Sequence, residues 1–439
     1  MFLRHVGEDV RFSGVAMIDS GYPVWVLYLA LALIVGIIFK RSFFGNIILF
    51  AVMMTDQVYY TFTRFPAFGP FLNLLDILLI GMLIPAIRLK ERATMIWPPC
   101  LTLILVVLFI GMTVAAMTFP ISYESLRTFK LALYFPLGLF IGANWLRGSR
   151  NLKLFIIMFI VAVFAQSARH ILYFDRYDIE NEIDATRTLR FFLSGLVVVF
   201  LIVRYHEYTP FYGWNLFYFL AIAVSVAALI LQQTRSIWTS QALFILIAVL
   251  GWIKRGSLRH GWKAFRMTFY MGLPILGMLI VIGKATSWHI DLLDLFVNGR
   301  SMDFTDSNGR WNAIKVETIE WLNGNVILGN GLGYYTAPKY VTYQYVAWGH
   351  NGYIAYLSNV GLIGFVVFAI LVPVSYFRSI KALVGATNPD IRLMAGFGQF
   401  FLFMVIIISA LSGGLLGSQF TAIYGFFLGY CHLLRNTRE

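Results

Sequence analysis

An all-α, polytopic bundle of transmembrane helices is the fold that the sequence predicts, on three observations. Of the 439 residues, 59% are hydrophobic and only 13% are charged, too few charges to solvate a soluble core of this size. The apolar residues gather into runs of roughly 18 or more, long enough to cross a ~30 Å hydrocarbon layer as helices. Lys and Arg fall mainly in short connections between those runs, which is the pattern that orients spans in a bilayer. The net charge of +13 is therefore expected to serve membrane orientation, and nucleic acid is not an expected partner.

Reading apolar runs between charged or turn-rich breaks predicts ten spans in residues 1–283, near 22–39, 43–61, 67–87, 96–118, 130–146, 152–174, 189–203, 214–232, 236–253 and 264–283. A long connection, 284–350, follows, and three more spans are predicted in 351–439, near 352–376, 396–411 and 417–434. Residues 1 to 21 are polar, without an apolar core followed by a small-residue cleavage site, so the first span is expected to remain as an anchor. Five basic connections, at Lys40-Arg41, Arg88 to Arg92, Arg147 to Lys153, Lys254 to Lys263 and Arg378 to Arg392, can all be cytoplasmic at once. That assignment puts the acidic connection Asp175 to Asp184 and the whole 284–350 connection on the outer face, with the C-terminus inside.

A connection that long usually carries function. Within it, Asp306-Ser307-Asn308 offers cap residues before Gly309-Arg310-Trp311, and a helix is predicted to run to Leu322 until Asn323-Gly324 stops it. Trp311, Ile314, Ile319, Trp321 and Leu322 are expected to share one broad face, as in a helix lying at the membrane surface.

Three residues are candidates for chemistry. His350, in Trp348-Gly349-His350-Asn351-Gly352-Tyr353, stands where a helix starts; with Asn351 as N-cap, the free N–H groups and positive dipole end would favour an anionic group beside the imidazole. Its structural alternative is an interfacial histidine that caps a helix or bonds a carbonyl. Arg310 stands at the start of the loop helix, with Lys315 about one turn later, and Arg235 stands in Gln232-Gln233-Thr234-Arg235-Ser236-Ile237-Trp238. Both arginines fall on the outer side of the predicted topology, where a guanidinium does not serve orientation, and its planar fork fits phosphate. The alternative for each is an arginine snorkelling to lipid headgroups.

Other features are read as structural. Gly329-Asn330-Gly331-Leu332-Gly333 lacks the preceding strand and the Lys-Ser/Thr pair of a phosphate loop, so a tight connection after the helix is expected. Asp56 and Asp76 sit inside apolar runs, where they either line a polar cavity or bond between helices. Cys100 and Cys431 are far apart in sequence and are expected to be buried free cysteines. The sequence has no D-x-D, no H-E-x-x-H and no nucleophile elbow, so neither a metal nor another cofactor is expected.

Taken together, four blocks resemble the O-antigen ligase and Wzy-type O-antigen polymerase superfamily, multi-span membrane glycosyltransferases of the GT-C type. Gln232 to Trp238 is similar to that family's Ser/Thr-Arg-small-aromatic segment, and Arg310 in Asn308-Gly309-Arg310-Trp311 to its loop arginine. Val326 to Gly333 resembles its Gly-x-Gly-x-Gly stretch, and His350-Asn351-Gly352-Tyr353 through Gly361-Leu362-Ile363-Gly364 its His-Asn signature. The blocks occur in the family's order over about 130 residues; the first 200 residues match as a hydropathy pattern alone, and the family's usual total of about twelve spans sets an expectation of 12 to 13 here.

The resemblance implies a bacterial inner-membrane enzyme that transfers a glycan from undecaprenyl diphosphate to a sugar hydroxyl, inverting the anomeric centre without metal or nucleotide. It implies that Arg235 and Arg310 stabilise the departing diphosphate and that His350 orients or deprotonates the acceptor, with Asn351, Tyr353 and Lys315 as substrate-binding neighbours. Polymerisation of lipid-linked repeats of a surface polysaccharide, with a chain-length regulator as possible partner, is the reading adopted; ligation to lipid A core is the alternative. A flippase for lipid-linked sugars is the alternative of another class, and it is expected to keep its charges within the spans rather than around one outer loop.

Overall fold

The computed structural model describes residues 30–35, 37, 74–87, 95–118, 123–144, 149–173, 221, 224–225, 304–334, 351–411 and 421–436. Among these residues the chain is mostly helical and contains no strand. The spans predicted at 43–61, 189–203, 236–253 and 264–283 lie outside the described residues.

The chain divides into two compact units, Met1–Ala93 and Thr94–Glu439. In the first, helix α1 (Leu74–Ile87) buries Leu75, Ile77, Leu79 and Met82. Gly81 allows this helix to approach residues 30–35 closely, because an added Cβ would lie 2.8 Å from the Ala32 carbonyl oxygen. Asp76 is buried and engaged in a polar or electrostatic interaction, as a carboxylate among apolar side chains requires.

In the second unit, α2 (Leu101–Thr118), α3 (Tyr123–Ala143) and α4 (Ser149–Tyr173) precede the loop helix α5 (Phe304–Asn323). Helix α6 (Gly352–Phe365) continues through a π turn at Val366–Leu371 into α7 (Val372–Val384). Helices α8 (Pro389–Leu411) and α9 (Thr421–Asn436) complete the unit. Among the described residues, two stretches, Leu101–Thr118 and Gly352–Val384, are long and apolar enough to cross a membrane.

Several helices depart from the predicted boundaries: α8 begins at Pro389, seven residues before the expected 396, and α3 and α5 also begin early. Helix α3 begins seven residues before the expected start at 130, because the polar opening Tyr123-Glu124-Ser125 extends an apolar helix without interrupting its backbone bonds. Helix α5 begins at Phe304 rather than after Asn308. Asp306 and Ser307 therefore lie in its first turn, where N–H groups are unpaired and the positive end of the dipole favours a carboxylate.

Contacts at the helix ends order the second unit. At one end, the Tyr376 hydroxyl donates to the Pro99 carbonyl at 3.3 Å, and Cys100 Sγ lies 3.3 Å from Ser375 Oγ. There too, Asn144 accepts from the Ile96 amide at 3.1 Å and donates to its carbonyl at 2.9 Å. At the other end, Thr118 and Ser125 meet the segment that follows α5. The start of α2, the end of α3 and the first turns of α7 thus lie together, opposite the end of α2, the start of α3 and the loop after α5.

Helices α3 and α9 run parallel in close contact. Gly138 and Gly142 face Ala422 and Phe426, while Gly425 and Gly429 face Phe135, Leu139 and Ala143. A Cβ at any of the four would strike the partner's backbone, so this is the small-xxx-small packing that lets helix backbones approach in an apolar medium. Beside it, Phe427 stacks on Phe401 at 4.2 Å and touches Phe155 and Phe159, each at 5.2 Å, tying α9 to α8 and α4. Cys431 is buried and Cys100 partly so, and both are free.

Candidate functional site

The centre of the site is a break in α6. Gly361 adopts φ 66° and ψ −167°, a left-handed φ that an L side chain rarely takes. In an unbroken helix the Leu362 and Ile363 amides would bond to the Ser358 and Asn359 carbonyls. Here the loop after α5 takes both sides of those lost bonds. The Ser358 carbonyl accepts from the Asn330 amide at 2.7 Å and the Asn359 carbonyl from the Gly331 amide at 3.2 Å. The Leu362 amide donates to Val326 at 3.0 Å and the Ile363 amide to Ile327 at 3.3 Å. All four groups are satisfied, as buried backbone must be.

Glycine is required on both sides of this pairing. Gly361 faces the Ile327 carbonyl and the Gly329 amide, and Gly329, itself at φ 76°, faces the Val360 and Gly361 amides. Gly331 and Gly333 also have positive φ and press on Ala115 and Ser125. Side chains complete the joint: Asn359 accepts from the Gly333 amide at 3.2 Å and donates to the Ala355 carbonyl at 2.9 Å. The Leu332 amide reaches the Gly111 carbonyl at 3.0 Å. The glycine-rich stretch is thus a tight connection, and its amide bonds are spent on protein carbonyls rather than left open for a phosphate.

Helix α5 leads into this joint and has two unlike sides. Ile319 and Leu322 are more than half exposed, and the exposed Val326, Ile327, Leu362 and Ile363 belong to the same segment and its partner. Ile314 is half-buried and Glu317 is buried, so the single broad face expected of Trp311, Ile314, Ile319, Trp321 and Leu322 is divided. The reason is register: at ~100° per residue, Ile319 stands roughly 140° round the helix from Ile314. Trp321 is tied inward, its indole donating to the Val326 carbonyl at 3.0 Å. The Trp311 side chain lies outside the described ones.

On the inner side stands a carboxyl that sequence reading did not single out. Glu317 is 5% exposed, and its Oε2 has no hydrogen-bond partner among the described residues. Burial, and secondarily the Glu320 carboxylate one turn on, pushes its pKa up from 4.5 to about 7. Tyr334, at the far end of the loop, is pushed above the usual phenol range by burial and then by Glu320. Asn330 binds the base of this cluster, its Nδ2 donating to the Glu320 carbonyl at 3.3 Å. The available signal was weak: Glu317 lies seven positions after Arg310 and three after Ile314, on a side that the sequence leaves half polar.

The sequence-derived candidates fall as follows. Arg310 lies in α5, two turns before Glu317 and roughly 20° from it in helical register. Lys315 is exposed, on the side of Ile319 and Leu322. Asn351 is the N-cap of α6, its Oδ1 accepting from the Tyr353 amide at 2.9 Å and the Ile354 amide at 3.3 Å. The Tyr353 hydroxyl donates to the Ile406 carbonyl at 2.8 Å, which ties α6 to α8. His350 and Arg235 lie outside the described residues, as does Asp56. The described residues hold no group of three or more His, Cys, Asp or Glu spaced to grip a metal.

Compared with the models of known protein families and with curated proteins, the chain matches none.

Proposed function

We propose that the chain is a polytopic membrane glycosyltransferase of the O-antigen ligase and Wzy-type polymerase kind, in the bacterial inner membrane, with residues 284–350 facing the periplasm or exterior. It transfers a glycan from undecaprenyl diphosphate to a sugar hydroxyl, polymerising lipid-linked repeats of a surface polysaccharide; ligation to lipid A core would use the same motifs. The observation that carries the proposal is the order of four blocks around Arg235, Arg310, Gly329–Gly333 and His350.

Features of the fold support this reading. The helix bearing Arg310, the glycine-rich loop and the helix following His350 are joined by backbone hydrogen bonds into one assembly. A helix broken at glycine, with its freed groups satisfied by a loop, is a form that membrane sites tolerate when the irregular backbone is buried in protein. Exposed Leu103, Val106 and Phe109 on α2, and Ile370, Val374 and Phe377 along the π turn and α7, suit walls facing lipid. The basic residues Arg378 and Lys381 stand at the end of the unit opposite the loop, in keeping with a cytoplasmic end there.

Arg235 and Arg310 pair with the diphosphate as negative charge grows on it, an electrostatic effect strongest where water is scarce. His350 orients or deprotonates the attacking hydroxyl. The test is product formation from purified lipid-linked repeat units at equal protein level. His350→Ala should lower transfer by about 100- to 10,000-fold with insertion intact. Arg310→Lys should also be severely impaired, because an ammonium keeps the charge but loses the fork that grips two phosphate oxygens. Near-normal product from both variants would remove these roles.

A further inference from the structure

Glu317 is the feature of the loop helix that the roles above leave unused. A buried carboxyl that serves only structure is normally hydrogen-bonded or paired, yet Oε2 of Glu317 has no partner among the described residues. Helix α6, which packs on α5, carries no charged side chain between Gly352 and Phe365, and its titratable groups are the phenols Tyr353 and Tyr356. The other titratable groups of this cluster are Glu320, one turn along α5, and Tyr334, at the end of the loop. Glu320 opposes ionisation of Glu317, and Tyr334, raised above the usual phenol range, stays neutral where Glu317 titrates. Lys315 is on the exposed side, and Arg310 stands two turns earlier in nearly the same register.

We propose that Glu317 accepts the proton of the attacking sugar hydroxyl, leaving His350 to orient that hydroxyl; the inference rests on the glycan-transfer reading. The acceptor O–H bond breaks and its oxygen bonds to the anomeric carbon. The bond from that carbon to the phosphate oxygen breaks, and the diphosphate leaves with the electron pair. The hydroxyl proton ends on the Glu317 carboxylate. An acceptor hydroxyl also supplies the hydrogen bond that Oε2 lacks. A carboxyl titrating near 7 is a far better proton acceptor at neutral pH than an ordinary one and is still partly ionised there.

The experiment is the pH dependence of transfer by purified full-length protein with undecaprenyl-diphosphate-linked repeat units, for wild type, Glu317→Gln and Glu317→Asp. Wild-type kcat should rise through about pH 7. Glu317→Gln should lose this rise and about 100-fold or more of kcat, while donor KM changes little. Its thermal midpoint should be equal or higher, since a neutral amide relieves the burial of a carboxylate. Glu317→Asp should keep a rise at a shifted pH, which a packing role alone would not produce. Wild-type turnover with Glu317→Gln near normal, or still showing the same rise, overturns the role of Glu317 alone. No product from wild type overturns the transfer reading and this inference with it.

Discussion

With its carboxyl held near pH 7 by burial first and by Glu320 second, Glu317 keeps a proton in the folded protein that the unfolded chain releases above about 4.5. Between those values the folded state binds more protons, so stability falls as pH rises, and the loss is complete above about 7. A shift of this size corresponds to a few kcal/mol, on the order of 3. The wild-type thermal midpoint in detergent should therefore fall between pH 5 and pH 8 relative to that of Glu317→Gln, and parallel curves would contradict the burial. At the other end of the site, Asn351→Ala removes the side-chain acceptor that caps α6 and should cost about 1 kcal/mol, read as a lower midpoint. Arg310 stood out in the sequence because, in the topology that the basic connections predict, a guanidinium there has no orienting task. Glu317 was not, because a carboxylate in a helix reads as an ordinary solvated group until its neighbours are known.

At the scale of elements, the joint between α6 and the loop depends on Gly329 and Gly361 more than on any side chain. Substituting Ala at Gly361 would drive a Cβ into the Ile327 carbonyl and the Gly329 amide and strain a positive φ, a backbone penalty of about 1–3 kcal/mol before any clash. The expected outcome is an opened joint, seen as faster hydrogen exchange at the Leu362 and Ile363 amides; unchanged protection there would contradict the pairing. The apolar runs located the described helices with uneven boundaries: 152–174 was predicted where Ser149–Tyr173 forms, while 396–411 misses the first seven residues of Pro389–Leu411. The break at Gly361 was not legible. Its freed groups are satisfied by residues about thirty positions earlier, and no local pattern announces a partner at that distance. The π turn at Val366–Leu371 was hidden for a related reason, since its apolar run is continuous with the helices on either side.

Across the whole molecule, the proposal ties orientation to chemistry, because the 284–350 connection must face the compartment where lipid-linked repeats are joined. A cysteine introduced at Ser307 should react with a membrane-impermeant reagent in intact spheroplasts, and labelling after lysis alone would reverse the topology. The parallel packing of α3 and α9 was not read from the sequence: Gly138-xxx-Gly142 and Gly425-xxx-Gly429 give each helix a contact face but do not name its partner. Of the four blocks in order along the chain, backbone bonds between the loop and α6 join two, Val326–Gly333 and the segment that ends at Gly361–Gly364. The most direct measurement reconstitutes the purified protein in liposomes with undecaprenyl-diphosphate-linked repeat units and a chelator. Glycan linkage and free undecaprenyl diphosphate are then followed together. The account predicts longer glycans on the lipid carrier, with one free undecaprenyl diphosphate released for each new linkage. Repeat units that cross the bilayer with no new glycosidic bond and no released diphosphate would contradict it and assign the chain to transport.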